Sequence, residues 1–368
     1  MDIYFNAMKI KFDTLKDLTH NLFDNNHIQT ANFFINLDDL NSRFRNVKSN
    51  QEFQCCGGGA FKQYTSNVLN LAAHYRQWLH RCGIKSKIFI YHTTASGGFV
   101  SSSMIPEYRS QWVSKTNLNN PDCYYVNITI DSAINLMKDI VDYIDGVYLM
   151  DSKCEDPISV PYLISEHFPA DWNFILTKDR VELQYSIFDK FSILYPSSRY
   201  GARLINSSNL WSFIAEKECI DSLHVNQLDP KLYILCLGIL GNGYRSVPKI
   251  KKISWRTIFE FLDSIYEKSM DHSTVTIVDE FNEMLSKKGE SVLDQVVRSE
   301  LVLSMRAVFE SMSEVDKQYI LMQMNDIPDI ESLQQINRDP MILGNYPINL
   351  AFLTEQAASF GQKKNPWA

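Results

Sequence analysis

The acids of this sequence collect where apolar runs give out. Asp38 and Asp39 close the run ANFFINL (31–37), Glu155 and Asp156 stand where a helix opens after the run Gly146 to Met150, and Asp179 follows NFILTK (173–178). Short apolar runs of this kind read as buried strands. In a parallel α/β sheet, ligands sit beyond the carboxyl ends of the strands, so acids placed there are candidates for chemistry. Carboxylates converging at such an edge would hold a hard divalent cation, Mg²⁺ or Mn²⁺, of the kind that serves phosphoryl transfer. Taken singly, each has a plainer role, because an acid at a helix start commonly caps it or faces its dipole.

The elements that would position these acids alternate. After one or two short polar helices within residues 1–30, strands are predicted at Ala31 to Leu37, Lys87 to Tyr91, Gly146 to Met150 and Trp172 to Leu176. Between them, apolar residues recur at helical spacing from Tyr64 to Leu79 and from Ala133 to Tyr143, and a further helix follows Pro157. This alternation predicts an α/β fold, a parallel sheet with helices on both faces. Beyond residue 225 strand signals thin out. Leu232 to Leu240, Trp255 to Glu267, Val292 to Met312 and Glu314 to Met324 suit helices, which gives a helical region over 226–368. No repeat or low-complexity tract interrupts the chain.

Composition narrows the function classes. The 368 residues are 45% hydrophobic, enough for a large core. A formal charge of −7, from 36 basic and 43 acidic residues, excludes a global basic footprint for nucleic acid, so any such surface is local. The seven cysteines (Cys55, Cys56, Cys82, Cys123, Cys154, Cys219, Cys236) lack C-x-x-C spacing and read as free thiols of a reducing cytoplasm, a host's cytoplasm if the protein is viral. No uncharged stretch reaches membrane-spanning length. Gly57 to Lys62 (GGGAFK) lacks the spacing of a phosphate loop and reads as a loop or lid.

Five collinear segments over about residues 31 to 260 resemble the flap endonuclease and 5′→3′ exonuclease family, compact phage or bacterial type. INLDDLNSRFR (35–45) resembles its opening motif, with Asp38, Asn41 and Arg45 in place. MIPEYR (104–109) resembles the P-E-Y-K/R element of the helical arch, with Tyr108 and Arg109. KCEDPI (153–158) resembles E-A-D-D-x-I, FILTKDRVELQY (174–185) resembles the T-G-D-x-D strand and turn, and LGILGNGYRSVPKI (237–250) resembles G-D-x-S-D-N-I-P-G-V-x-G-I. The resemblance implies a PIN-like domain over 31–225 with an arch, and a helix-hairpin-helix-like element near 238–262. It further implies Mg²⁺ or Mn²⁺ held by Asp38, Glu155, Asp156 and Asp179, and a DNA or RNA partner recognised by structure rather than by sequence.

Departures from the family pattern fall on the metal ligands. Thr93 or His92 replaces the second-strand Asp, Lys153 the first acid of E-A-D-D, Val181 the second acid of D-x-D, and Ile239 and Asn242 both acids of the last motif. Losing one metal clamp removes several kcal/mol of transition-state stabilisation, and each 1.4 kcal/mol or so is about tenfold in rate. The expectation is a nuclease fold with weak or absent cleavage. An active 5′ nuclease stays open, with Glu182 or Asp151 as replacement ligands, as does a structural or assembly subunit of a viral or other protein complex. Where the family offers glycine amides to duplex phosphates, this chain carries Lys249, Lys251, Lys252 and Arg256, which predicts direct cation contacts.

Overall fold

The structure, a computed structural model, describes residues 8–40, 59–93, 105, 121–152, 156–197, 202–243, 245–268 and 273–324. Its centre is one six-stranded sheet built from β1 (Thr30–Asn36), β2 (Lys85–His92), β3 (Val147–Asp151), β4 (Trp172–Leu176), β5 (Phe191–Tyr195) and β6 (Arg203–Ile205). The order is β3-β2-β1-β4-β5-β6. All neighbours run parallel except β5 and β6. Chain order reverses between β1 and β4, so the crevice beyond their carboxyl ends is the topological switch point.

Strand alternation sends successive residues to opposite faces, and both faces are covered. Phe33, Ile35, Ile88 and Ile90 face α1 (Phe12–Asn26), α2 (Gly59–Arg81) and α3 (Pro121–Val141), whereas Phe34, Phe89 and Tyr91 face α4 (Val160–His167) and the C-terminal helices. Double-sided burial explains why these strands read as nearly continuous apolar runs. The remaining helices are α5 (Leu210–Glu218), α6 (Leu232–Leu240), α7 (Trp255–Lys268), α8 (Thr274–Ser286), α9 (Glu290–Leu303), α10 (Met305–Ser311) and α11 (Glu314–Met322).

Several boundaries differ from the sequence reading. α2 begins at Gly59, so the second half of GGGAFK is helical rather than a loop. The helical pattern from Val292 to Met312 is split at Ser304, whose hydroxyl caps α10 by accepting from Ala307 N at 3.3 Å. Buried Gln184 braces the break: its Oε1 accepts from Met305 N at 2.7 Å and its Nε2 donates to Leu303 O at 2.8 Å. β5, β6, α5 and α8 were not anticipated. Asn41, Arg45, Tyr108, Arg109, Lys153 and Glu155 lie outside the described residues.

Candidate active-site cluster

Three chain segments converge at the switch point. After β1, Asn36 and Asp39 are fixed by their own turn, Asp39 N donating to Asn36 Oδ1 at 3.0 Å. After β4, Thr177 Oγ1 accepts from Asp179 N at 2.9 Å, and Asp39 Oδ2 accepts from Lys178 N at 3.1 Å. After β3, Asp156 caps the 3-10 turn Pro157–Ser159, its Oδ1 accepting from Ile158 N at 3.1 Å.

The acids meet a cation that the motif reading passed over. Arg245, 1% exposed, donates Nε to Asp156 Oδ2 at 2.9 Å and Nη2 to Asp156 Oδ1 at 3.4 Å. Its Nη1 reaches Asp179 Oδ2 at 2.7 Å, and Asp179 Oδ1 accepts from Val181 N at 3.0 Å. All four oxygens of the two carboxylates are therefore engaged. Planar guanidinium is suited to this fork, in which one edge grips one carboxylate and the remaining nitrogen a second.

The α6–α7 connection delivers Arg245. Gly241 ends α6 with φ of 63° and ψ of −175°, and a Cβ there would stand 2.6 Å from the carbonyl oxygens of Val247 and Pro248. Only glycine allows that approach. Asn242 then pairs with Val247 in an antiparallel bridge, and Asn242 Oδ1 accepts from Arg245 N at 3.0 Å. Asn242 thus stands where the resemblance put an aspartate and serves to hold the arginine's backbone.

A second buried acid lies behind the first pair. Glu182 is fully buried, its Oε1 accepting from Tyr91 Oη and, at 2.7 Å, from Asn36 Nδ2. Burial first, then the neighbouring charge of Asp179, pushes its pKa up to about 8 against the opposing hydrogen bonds of Thr177 and Tyr91. Both causes favour its protonated form. His92 is also buried, and desolvation lowers its pKa although the charges of Asp151 and Asp38 oppose it.

Of the four acids predicted as metal ligands, Asp156 and Asp179 come together, on Arg245. Asp38 is buried, with its charge felt by His92. Asp39, the neighbour not selected, lies on the Glu182 side. Of the two predicted replacement ligands, Glu182 belongs to the cluster, whereas the backbone of Asp151 is clasped by Gln323, at 2.7 Å to its N and 2.9 Å to its O. Arg245, Tyr91 and Asn36 were missed. The available signal was a lone arginine in a glycine-containing turn between apolar segments.

No protein-family model matches the sequence, and no curated protein matches it. Solved structures do resemble the fold. A pseudo-enzyme–product complex of the bacteriophage T5 flap endonuclease, with DNA and metal ions, superposes with a TM-score of 0.50 at 12% identity, covering 81% of this chain and 100% of that one. The T5 5′-exonuclease with bound zinc superposes at 0.51 and 13% identity, covering 81% and 98%. This chain has the PIN-like flap nuclease fold.

Within the PIN-like fold the cluster does not suit a divalent ion. Such an ion needs several free oxygen ligands. Here Arg245 takes both oxygens of Asp156 and Oδ2 of Asp179, and Asp179 Oδ1 accepts from Val181 N. Among the described residues, no three acids, histidines or cysteines are grouped so as to hold a metal. Further along the α6–α7 connection and at the start of α7, Lys249, Lys251, Lys252 and Arg256 are exposed. Lys252 has a φ of +65°, and Arg256 Nη2 donates to Cys219 O at 3.4 Å. No described helix is long and apolar enough to cross a membrane.

Proposed function

We propose that this protein uses the flap nuclease fold to bind branched or single-strand-bearing nucleic acid without efficient phosphodiester cleavage. The observation that carries this reading is Arg245, whose guanidinium satisfies Asp156 and Asp179 with the charge that a hydrolytic cation would otherwise supply. Two-metal hydrolysis needs open coordination positions for the attacking and leaving oxygens. A guanidinium has no open position and activates no water. Metal ions and DNA belong to the T5 complex named above. For this chain the binding half of that description is retained, through the Lys249, Lys251, Lys252 and Arg256 turn and, outside the described residues, Arg45, Tyr108 and Arg109.

The test is a 5′-flap and nicked-duplex assay with Mg²⁺ or Mn²⁺ beside a binding assay on the same substrates. Salt-sensitive binding with no product is expected. Turnover that Asp179→Ala abolishes would overturn the reading in favour of an active, metal-dependent 5′ nuclease.

A second reading, a non-catalytic assembly subunit, draws on exposed apolar residues of the helical half. Val297 and Leu301 lie one turn apart on α9, Val275 sits on α8, and Val315 and Met322 on α11. Absence of nucleic-acid binding together with stable self-association or capture of a defined subunit would favour it.

A further inference from the structure

The opposite end of the sheet, roughly 20 Å from the carboxylate cluster along the strands, carries a cavity of about 540 Å³. It opens at the amino ends of β1, β2 and β3, where the switch-point rule places no ligand and where the flap nuclease reading assigns nothing. Its volume lies within the usual range for small-molecule sites.

Its lining is unusual for a chain of net charge −7. Arg76 of α2 and Lys85 and Lys87 of β2 contribute three cations, and His167 at the end of α4 adds an imidazole. Asp145 is the one carboxylate in the lining. Lys85 and Lys87 are two residues apart on one strand and share a face of the sheet. Both are exposed, and neither forms an ion pair among the described residues. Ammonium groups in a concave, partly apolar wall focus a positive potential that draws anions.

Two aromatic rings, Tyr148 and Phe168, also line it, among small residues such as Ala31, Ser86, Gly146 and Ala170. Tyr148 stacks on Phe89 with ring centroids 5.1 Å apart, and the Lys87 ammonium stands 5.2 Å above the ring of Phe168. The wall is preformed. Asp171 Oδ2 accepts from Gln29 N at 3.0 Å, Thr30 N at 2.9 Å and Thr30 Oγ1 at 3.0 Å, and Asn32 Nδ2 donates to Phe168 O at 2.9 Å. These bonds staple the segment 168–171 to the start of β1. Arg76 is likewise held in place, its Nη1 donating to Asp145 O at 2.7 Å.

We infer that this cavity binds a nucleoside monophosphate, the phosphate held by Lys85 and Lys87 and the base lying against Tyr148. Cations supply charge-assisted hydrogen bonds to phosphate oxygens, and aromatic faces accept any base by stacking. The site stands apart from the nucleic-acid surface of the α6–α7 connection, so either can fail without the other.

The experiment is isothermal titration of the full-length protein with adenosine 5′-monophosphate, adenosine and inorganic phosphate, repeated on the double variant Lys85→Gln/Lys87→Gln. Both lysines are exposed, so the variant keeps its fold, which circular dichroism checks. The nucleotide is expected to bind more tightly than either fragment, and the double variant to weaken it at least about tenfold while binding of flap DNA is unchanged. Three results would overturn the inference: no heat with the nucleotide at millimolar concentration, equal affinity for phosphate and nucleotide, or unchanged affinity in the variant.

Discussion

Arg245 Nη1 lies 2.7 Å from Asp179 Oδ2, and the same guanidinium grips Asp156 by two nitrogens. Both Arg245 and Asp156 are buried. Removing one partner of a buried ion pair leaves an uncompensated charge, at a cost of about 3–5 kcal/mol. Arg245→Ala is therefore expected to lower unfolding stability by that amount in urea titrations followed by circular dichroism. Added Mn²⁺ should recover part of the loss in the variant and leave the wild type unmoved. Stability within about 1 kcal/mol of wild type would show that the pair is not needed.

Glu182 ties stability to pH. In the unfolded chain it ionises near the ordinary 4.5, in the fold near 8. Between those values the unfolded state has released a proton that the folded state keeps, so stability falls as pH rises through the window and levels off above it. One group contributes a slope of at most about 1.4 kcal/mol per pH unit. Glu182→Gln, which cannot ionise, is expected to flatten this slope in melts from pH 5 to 8.5. An unchanged profile would mean that other groups set the pH response.

Gly241 tests how Arg245 is delivered. Its backbone lies in a region essentially reserved for glycine, and a side chain would meet two carbonyl oxygens at 2.6 Å. Gly241→Ala is expected to cost more than the roughly 1–3 kcal/mol of backbone strain alone. By contrast Gly243→Ala, where a Cβ would meet nothing within 4 Å, should be close to neutral. Comparable thermal midpoints for the two variants would contradict this.

The exposed lysines of the same connection make a different prediction. Each phosphate neutralised by a lysine releases counterions, so replacing Lys249, Lys251 and Lys252 with Gln should weaken flap DNA binding and lower the log–log salt slope by up to about three units. Sequence preference should not move. Fluorescence anisotropy across a salt series measures both quantities, and an unaltered slope would remove these lysines from the interface.

The fold was legible wherever period and burial agree. β1, β2 and β4 run through two-sided apolar packing, so Phe33, Phe34, Ile88, Phe89 and Ile175 announce themselves. Three-residue β6 is too short to stand out from the loops around it, whereas β5, five residues long like β3 and β4 and buried throughout, carries the same apolar signal and was passed over. The split at Ser304 was hidden because helical spacing continues through it; what fixes it is Gln184, 121 residues earlier. Asp156 and Asp179 were legible as strand-end acids. Their partner was not, because a single arginine in a turn carries no periodic signal and its role exists only once the chain has brought position 245 beside position 156.

That long separation affects how the protein is made. Arg245 follows Asp179 by 66 residues and Asp156 by 89, and Gln323, which clasps the end of β3, follows Asp151 by 172. A chain emerging from the ribosome amino end first exposes β1 to β5, with Asp156 and Asp179 in repulsion, well before their counterion is translated. The nascent sheet must wait for the α6–α7 connection to arrive. A translation product stopped before residue 245 should thus be a substrate for chaperones and proteases rather than a stable half-molecule.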